Sequence, residues 1–178
     1  METIRIKDKQ FKTFITEEQI LKEVARVGEE INRDLADANP LFVSVLNGSF
    51  MFTADLMKHV SVPCEISFVK LASYAGTSST GKVKELVGLS DDITGRTIVI
   101  VEDIIDTGLT MERLIETLKA RNPKEIRIAT LLVKPDKLKV DLDINYIAMS
   151  IPNDFIVGYG LDYDGFGRNY RDIYTVIE

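Results

Sequence analysis

The sequence is poor in the residues that most often carry covalent or metal chemistry. It has one cysteine, Cys64, and one histidine, His59, among 178 residues, and it has no tryptophan. A single cysteine cannot form an intrachain disulfide and suits a reducing compartment. Cys64 lies in an apolar run and is expected to be a small buried hydrophobe. One histidine and one cysteine argue against a zinc site and against Ser–His catalysis.

Long apolar runs and an excess of positive charge are also missing. No run approaches membrane-spanning length, and the first seven residues, METIRIK, lack the apolar stretch of a secretory signal. The net charge of −6 argues against a nucleic-acid surface, which needs a basic patch. We therefore expect a soluble cytoplasmic protein without a membrane or nucleic-acid partner. At 178 residues, 45% of them hydrophobic, the chain is long enough for one domain with a substantial core.

The most informative stretch is residues 97–110, TIVIVEDIIDTGLT. Its first five residues are β-branched, which is typical of a strand buried on both faces of a parallel sheet. Three carboxylates follow, at Glu102, Asp103 and Asp106. Apolar residues at helical spacing begin at Met111. The order predicted is strand, acidic turn, small-residue loop and helix.

That order predicts a ligand site at the carboxyl end of the strand. A helix N-terminus offers N–H groups and a positive dipole end to an anion. Thr107 and Thr110 add hydroxyl groups, and Gly108 allows close approach of the backbone. The carboxylates suit hydroxyl groups, a divalent metal or proton transfer, so the ligand implied is a ribose 5-phosphate. The alternative is an ordinary Thr or Asp N-cap, which would not need three carboxylates.

A second strand–glycine–helix pattern precedes this stretch. Residues 41–46 predict a buried strand, Asn47-Gly48-Ser49 follows it, and residues 50–57 predict a helix. Either this is a second anion-binding helix start, or it is a tight connection that requires glycine. A strand predicted at 64–71 then leads into a stretch with the composition of a mobile loop. Its Gly-x-x-x-x-Gly-Lys sequence nearly matches a nucleoside-triphosphatase motif, but Val83 follows the lysine where that motif has Ser or Thr.

Other patterns complete the prediction. They indicate an edge strand at 3–7, a helix that starts with a capping box at Thr16 and runs to about Ala36, and a strand at 125–133 followed by Lys134. The C-terminal part is rich in aromatic residues and glycine, and no element is predicted there. Phe155 in this part is either a core residue or a platform for a flat base.

Residues 101–108, VEDIIDTG, resemble the phosphoribosyl-diphosphate motif of the purine phosphoribosyltransferases, and within that family the hypoxanthine-guanine type. The resemblance implies an α/β fold, a mostly parallel sheet flanked by helices, as a single domain over residues 1–178. It also implies a small hood, formed by the N-terminal segment and residues about 150–178. A mobile lid at about 73–84, carrying Ser73 and Tyr74, would close over the site and exclude water.

The implied activity is a purine-salvage reaction. A 5-phosphoribosyl group passes from phosphoribosyl diphosphate to N9 of hypoxanthine or guanine, with Mg²⁺ as cofactor, to give IMP or GMP and pyrophosphate. The family also suggests a homodimer or homotetramer. A regulator that keeps the phosphoribosyl site but not the activity remains an alternative, although Lys134, Phe155 and Asp162 argue against it. The choice between hypoxanthine, guanine and xanthine stays open.

The resemblance also implies a role for each matching residue. Asp106 would be the general base at purine N7. The ribose and its phosphate would be bound by Glu102, Asp103, Thr107, Gly108, Leu109 and Thr110. Pyrophosphate would be bound by Asn47, Gly48 and Arg168. The purine would be bound by Lys134, Phe155, Ile156 and Asp162. Mg²⁺ would be held by Glu102, Asp103 and Asp162.

Asn47 departs from the family pattern, which has Lys or Arg before the glycine. The substitution removes a cation from the diphosphate site. Backbone N–H groups of this loop are therefore expected to carry the contact.

Overall fold

A computed structural model of the protein describes residues 3–71 and 86–177. Within them the helices are α1 Glu17–Asp34, α2 Phe50–Met57 and α3 Leu109–Lys119. The strands are β1 Thr3–Ile6, β2 Lys9–Ile15, β3 Leu41–Leu46, β4 Glu65–Leu71, β5 Leu86–Val87, β6 Thr97–Ile105, β7 Glu125–Val133, β8 Tyr146–Ser150, β9 Ile156–Val157 and β10 Ile173–Val176. A single 3₁₀ turn, Pro135–Lys137, follows β7.

The main sheet has the strand order β5-β4-β3-β6-β7-β8. Strands β4, β3, β6, β7 and β8 are parallel, and only the two-residue β5 pairs antiparallel, against β4. Strand β6 lies inside the sheet between β3 and β7, and helices cover both faces. The α/β class with a mostly parallel sheet flanked by helices is therefore confirmed.

Strand β6 shows why its apolar run has no polar interruption. Val99 and Val101 belong to the core cluster that α1 and α2 complete, whereas Ile98 and Ile100 belong to the cluster that α3 completes. All four side chains are fully buried. A strand that is covered on both faces needs apolar residues at every position, and not only at alternate ones.

Helix α1 begins at the predicted capping box. The Thr16 hydroxyl accepts from the Gln19 backbone N–H at 3.3 Å, and the Gln19 side chain accepts from the Thr16 N–H at 2.9 Å. The helix ends at Asp34, two residues before the predicted end. Its apolar face then packs on the sheet through Ile20, Val24, Val27 and Ile31.

A smaller antiparallel sheet has the strand order β1-β2-β10-β9 and joins both ends of the chain. One side of it has a small core of its own, made by Ile6, Phe11, Val157 and Tyr174. Ile15, Ile156 and Ile173 of the same sheet belong instead to the large core beneath α1 and α2. The small sheet is thus anchored to the main body by packing. Among the helices of residues 3–71 and 86–177, none combines the length and apolar content needed to cross a bilayer.

Candidate active site

Three polar segments follow three neighbouring parallel strands at the same edge of the main sheet. Residues 47–49, which we call the diphosphate loop after the ligand that the resemblance implies, follow β3. Residues 106–110, which we call the phosphate loop for the same reason, follow β6. Lys134 follows β7. Because β3, β6 and β7 are parallel, these ends lie side by side, at the edge where such sheets bind ligands.

The acidic pair, Glu102 and Asp103, lies within β6 and not in a turn after it. The prediction of an acidic turn was wrong because β6 continues to Ile105, paired with β7 as far as Val133. The Asp103 N–H donates to the Glu102 carboxylate at 3.1 Å. Burial, and then the neighbouring Asp103 carboxylate, raise the pKa of Glu102 well above its usual range. A cation or a hydroxyl donor bound here would offset that cost.

Gly48 brings the diphosphate loop into contact with the acidic pair. A Cβ atom added at Gly48 would lie only 1.7 Å from Asp103 Oδ2. Only glycine therefore allows this approach without displacing the carboxylate. Asn47 beside it is exposed, and the Leu46–Asn47 peptide bond is cis. Ser49 is fully buried, and its hydroxyl is 2.7 Å from the hydroxyl of Ser44.

The phosphate loop leaves the start of α3 without a side-chain cap. Its N-cap is Gly108, which has φ +82° and makes no cap hydrogen bond. The nearest substitute is a long contact of 3.4 Å from the Leu109 N–H to the Thr107 hydroxyl. A small cleft of about 110 Å³ borders the loop between Glu102 and Met111. An uncapped helix start facing a cleft is suited to an anion.

The segment after β7 supports the phosphate loop from behind. The Lys139 N–H donates to the Thr107 carbonyl at 2.9 Å. A Cβ atom at Gly108 would lie 2.7 Å from Val140 and 2.9 Å from Leu142. Gly108 is thus required both by its left-handed backbone and by this close packing. No local pattern in the sequence marks this support.

Asp106 is held by a cation that the sequence analysis did not identify. Lys137 Nζ lies 2.9 Å from Asp106 Oδ1 and 3.1 Å from Oδ2. Lys134 Nζ lies 3.9 Å from Oδ2. Oδ1 is buried and has no hydrogen bond of good geometry, since its contact with Lys137 is an ion pair only. The Asp106 side chain as a whole is 40% exposed, so a donor from a ligand would reach Oδ2 and not Oδ1.

Of the predicted purine-binding residues, Lys134 lies close to Asp106. Lys134 is buried, and its Nζ donates to the Asp154 carbonyl at 2.8 Å. Phe155, the residue after Asp154, is 45% exposed. Its ring packs edge-on against Tyr163, with ring centroids 5.6 Å apart. Phe155 is thus not a core residue, and its exposed ring suits stacking on a flat base. The Ile156 side chain is buried, so a ligand there would contact only its backbone.

Asp162 and Arg168 are paired with each other. Arg168 Nη2 lies 2.9 Å from Asp162 Oδ1, and Arg168 Nη1 donates to the Gly160 carbonyl at 2.7 Å. A Cβ atom at Gly160 would lie 2.1 Å from the Gly48 carbonyl oxygen. This part of the chain, the tail segment (residues 158–168), therefore packs directly on the diphosphate loop. The predicted lid, with Ser73 and Tyr74, lies outside the described residues.

The donor set suits Mg²⁺. Glu102, Asp103 and Asp162 offer carboxylate oxygens, the ligands that Mg²⁺ prefers. Within residues 3–71 and 86–177, no group of three or more His, Cys, Asp or Glu side chains is placed to hold a metal ion alone. Mg²⁺ is usually bound through one or two carboxylates together with substrate phosphates. The residues therefore fit an ion that arrives with a diphosphate.

The chain is similar to known proteins over almost its whole length. The model of the phosphoribosyl transferase domain matches residues 13–164. The hypoxanthine-guanine phosphoribosyltransferase of Streptococcus pyogenes is 44% identical over 163 residues, which cover 91% of this chain and 89% of that protein. The crystal structure of a hypoxanthine-guanine phosphoribosyltransferase from Bacillus anthracis has a TM-score of 0.83 at 39% identity, covering 94% of this chain and 97% of that one. A hypoxanthine phosphoribosyl transferase structure from Trypanosoma cruzi has a TM-score of 0.86 at 34% identity, covering 98% and 95%.

Proposed function

The chain belongs to the phosphoribosyl transferase family, and from that membership we propose that it is a purine-salvage enzyme. It transfers the 5-phosphoribosyl group of phosphoribosyl diphosphate to N9 of hypoxanthine or guanine, and it releases pyrophosphate and IMP or GMP. The C1–O bond to the diphosphate breaks, the C1–N9 bond forms, and the purine loses one proton.

One observation carries the proposal. Lys134 Nζ lies 3.9 Å from Asp106 Oδ2 and donates to the carbonyl of Asp154, the residue before the exposed Phe155. This arrangement joins a cation suited to the purine oxygen to the first residue of the phosphate loop. A phosphate site alone would not need a buried lysine at that position.

Positioning of the sugar is the first task of the site. Thr107 to Thr110 would bind the 5′-phosphate through the N-terminus of α3, with Gly108 and Leu109 contributing backbone N–H groups. Glu102 and Asp103 would hold the ribose hydroxyls and so place C1 relative to the purine. Holding two reactants in this way supplies a large part of the acceleration in transfer reactions.

The leaving diphosphate gains negative charge as the C1–O bond breaks. Glu102, Asp103 and Asp162 are the carboxylates available to Mg²⁺, which would be bound by one or two of them together with the diphosphate and would supply Lewis-acid neutralisation of that charge. Arg168 would release part of its contact with Asp162 to bind the diphosphate. Asn47 adds no cation, so the N–H groups of Asn47 and Gly48 would contribute the remaining contacts.

Asp106 would accept the proton at purine N7. Its side chain is 40% exposed, and Lys137 and Lys134 lie beside its carboxylate and hold it in place. General-base help of this kind contributes about 10²–10⁴-fold. We expect Asp106→Asn, which keeps the shape but not the base, to lose turnover within that range. An Asp106→Asn enzyme with near-normal turnover would remove this role.

Lys134 would select 6-oxopurines by donating to the purine oxygen. Phe155 would stack on the ring, while the Ile156 backbone and Asp162 would read the opposite edge. Lys134→Ala should then lose most of the preference for hypoxanthine over adenine. Lys124→Ala is a matched control, because Lys124 is an exposed lysine just before the other end of the same strand. The assignment fails if both variants keep the wild-type preference.

The remaining expectations concern the parts around the site. We propose that the small sheet and residues about 150–178 act as the hood over the purine, in a single domain of residues 1–178. The lid at 73–84, including Ser73 and Tyr74, stays a prediction. We also propose a cytoplasmic location, supported by the presence of only one cysteine.

We further propose a homodimer or homotetramer. Support comes from Ile66 and Phe68, which lie two residues apart on one face of β4 and are 40% and 46% exposed. Light scattering of the purified protein would give the mass, and a monomer at micromolar concentration would contradict this proposal.

The activity itself has a direct test. The protein is incubated with phosphoribosyl diphosphate, Mg²⁺ and hypoxanthine, guanine, xanthine or adenine in turn, and nucleotide formation is followed by chromatography. We expect IMP and GMP, and no product when Mg²⁺ is chelated. Failure with every base would favour a phosphoribosyl-binding regulator instead. Kinetic constants for the three 6-oxopurines would then establish which one is preferred.

A further inference from the structure

Tyr159 combines a large side chain with a backbone conformation that normally requires glycine. Its φ is +49°, between Gly158 at +104° and Gly160 at +98°. Other residues adopt this region at a cost, and such strain persists where the surroundings impose it. Tyr159 is also 2% exposed. A glycine would satisfy the backbone more easily, so the tyrosine side chain has a role that outweighs the strain.

The phenol group of Tyr159 is bonded to α2. Its hydroxyl donates to Asp55 Oδ2 at 2.6 Å. Burial, and then this hydrogen bond, raise the pKa of Tyr159, so the phenol stays protonated and remains a donor. Hydrogen bonds to a carboxylate are shorter and stronger than those between neutral groups. The tail segment is therefore tied to the helix that begins directly after the diphosphate loop.

Helix α2 is itself fixed to the diphosphate loop and to β3. The Ser44 hydroxyl lies 2.7 Å from the hydroxyls of both Ser49 and Thr53, and all three groups are buried. Ser49 belongs to the diphosphate loop and Thr53 to α2. A fully satisfied buried network of this kind holds its members in one arrangement. Any displacement at Asp55 is thus passed to the loop.

The other end of the connection is the backbone after Tyr159. Gly160 packs against the Gly48 carbonyl, at a distance that leaves no room for a Cβ atom. The Gly160 carbonyl accepts from Arg168, and Arg168 also pairs with Asp162. The hydrogen bond from Tyr159 to Asp55 therefore lies directly beside the backbone contact between the tail segment and the diphosphate loop.

We propose that Tyr159 is a positioning residue for the diphosphate end of the substrate, acting through its hydrogen bond to Asp55. It holds the tail segment against the diphosphate loop, so that Arg168 and the loop N–H groups bind one diphosphate together. Asn47 makes this alignment more important, because the loop has no cation of its own. The inference rests on the proposed function and extends it to a residue that touches no substrate.

The test is Tyr159→Phe, which removes one hydroxyl and keeps the ring. We expect KM for phosphoribosyl diphosphate, and KM for pyrophosphate in the reverse reaction with IMP, to rise about tenfold, as for one lost hydrogen bond to a charged group. KM for hypoxanthine should rise clearly less, because only Asp162 of the proposed purine contacts lies in the tail segment. Lys134 is bonded to the Asp154 carbonyl, and Phe155 also packs on Phe11, and neither partner belongs to that segment. Loss of a merely structural contact would not raise KM for phosphoribosyl diphosphate more than KM for hypoxanthine.

Tyr146→Phe is the matched control. Tyr146 is another buried tyrosine whose hydroxyl donates to a carboxylate, Asp34, at 3.1 Å. It lies in β8, away from the tail segment. The Tyr146→Phe variant should leave the KM values for phosphoribosyl diphosphate, pyrophosphate and hypoxanthine unchanged, even if it lowers the melting temperature. The double variant Tyr159→Phe with Asp55→Ala should have the same KM for phosphoribosyl diphosphate as Asp55→Ala alone, because both changes remove the same hydrogen bond.

Direct binding separates this inference from the proposed function. Calorimetric titration with Mg²⁺ and pyrophosphate needs no catalysis, and we expect about tenfold weaker binding to Tyr159→Phe than to the wild type and to Tyr146→Phe. If the wild type forms no nucleotide, the proposed function fails while this comparison still decides the inference. Equal pyrophosphate affinity of Tyr159→Phe and Tyr146→Phe, or equal rises in both substrate KM values, would overturn the role of Tyr159.

Discussion

At the scale of single residues, Gly48 controls the contact between the diphosphate loop and the acidic pair. In Gly48→Ala, the new methyl group would overlap Asp103 Oδ2, so either the loop or the carboxylate must move. A displacement of about 1 Å near the reacting centre can cost about 10²-fold. We therefore predict that kcat/KM for phosphoribosyl diphosphate falls by about that factor, as measured by steady-state kinetics.

Gly95→Ala is the control for this prediction. Gly95 has φ +70°, but a Cβ atom there meets nothing within 4 Å, and the residue lies before β6, at the opposite end from the site. This variant should lose roughly 1 kcal/mol of stability through its backbone conformation and keep its kinetic constants. If both variants have the same kcat/KM, the contact between Gly48 and Asp103 does not matter for activity.

Lys137 is a second residue with a predicted kinetic effect. Its ammonium group lies within 3.1 Å of both Asp106 oxygens and so fixes the direction of the carboxylate. Lys137→Met keeps most of the side-chain volume but removes the charge. We expect kcat to fall on the order of tenfold, as for one lost hydrogen bond to a charged group that is partly exposed. Stopped assays of IMP formation would measure it.

The order of the effects distinguishes orientation from chemistry. Lys137→Met should lose less turnover than Asp106→Asn, because the base itself is still present. Lys137→Arg should recover most of the activity, since it restores a cation. A Lys137→Arg enzyme that is as slow as Lys137→Met would mean that the side chain does more than orient Asp106.

At the scale of elements, the capping box of α1 gives a stability prediction. Thr16→Ala removes the acceptor for the Gln19 N–H, and the loss of such a cap costs about 1 kcal/mol. For a chain of this length, that lowers the melting temperature by roughly 2–4 °C, as measured by calorimetry. Thr117→Ala in α3 is the control, because its exposed hydroxyl only bonds back to the Arg113 carbonyl and should change stability little. Equal falls in melting temperature for the two variants would mean that the Thr16 cap does not stabilise α1.

The elements whose bounds the sequence predicted best are two core strands and one short helix. β3 at 41–46, α2 at 50–57 and β7 at 125–133 begin and end where the residue pattern places them. Their apolar runs are bounded by Gly, Pro or charged residues, which mark where an element begins and ends. The strands β2, β8, β9 and β10 were missed, since they are short or half-exposed and their apolar pattern is irregular. Their partners lie far away in the chain, and only the folded arrangement selects them.

The candidate site also has a part that could be predicted from the sequence and a part that could not. The phosphate loop could be predicted because its strand, carboxylates, glycine and helix are contiguous in the sequence. The contact of Lys137 with Asp106 spans 31 residues, and Tyr159 meets Asp55 across 104. No local pattern marks either pair, because a lysine after a strand and a tyrosine between glycines occur in many settings. Such contacts depend on how the elements pack.

At the scale of the whole molecule, the small sheet and the main sheet share one core. Ile156 and Ile173 of the small sheet pack in the same cluster as α1 and α2, while the sheet's own cluster has only four fully or nearly buried side chains. So small a cluster cannot balance the conformational entropy of four strands. The small sheet should therefore unfold together with the main body and not before it.

Two spectroscopic probes can follow the two parts separately. Four of the six tyrosines lie in or beside the C-terminal part of the small sheet: Tyr159, Tyr163, Tyr170 and Tyr174. Without tryptophan, near-ultraviolet circular dichroism reports mainly on them, whereas the signal at 222 nm reports on the helices of the main body. We predict that both signals change at one urea concentration. Val157→Ala leaves a cavity at a fully buried position of the small cluster. It should lower the free energy of unfolding by about 2 kcal/mol and shift both urea midpoints downward together. A tyrosine transition that moves to lower urea while the helical one stays in place would mean that the small sheet unfolds independently.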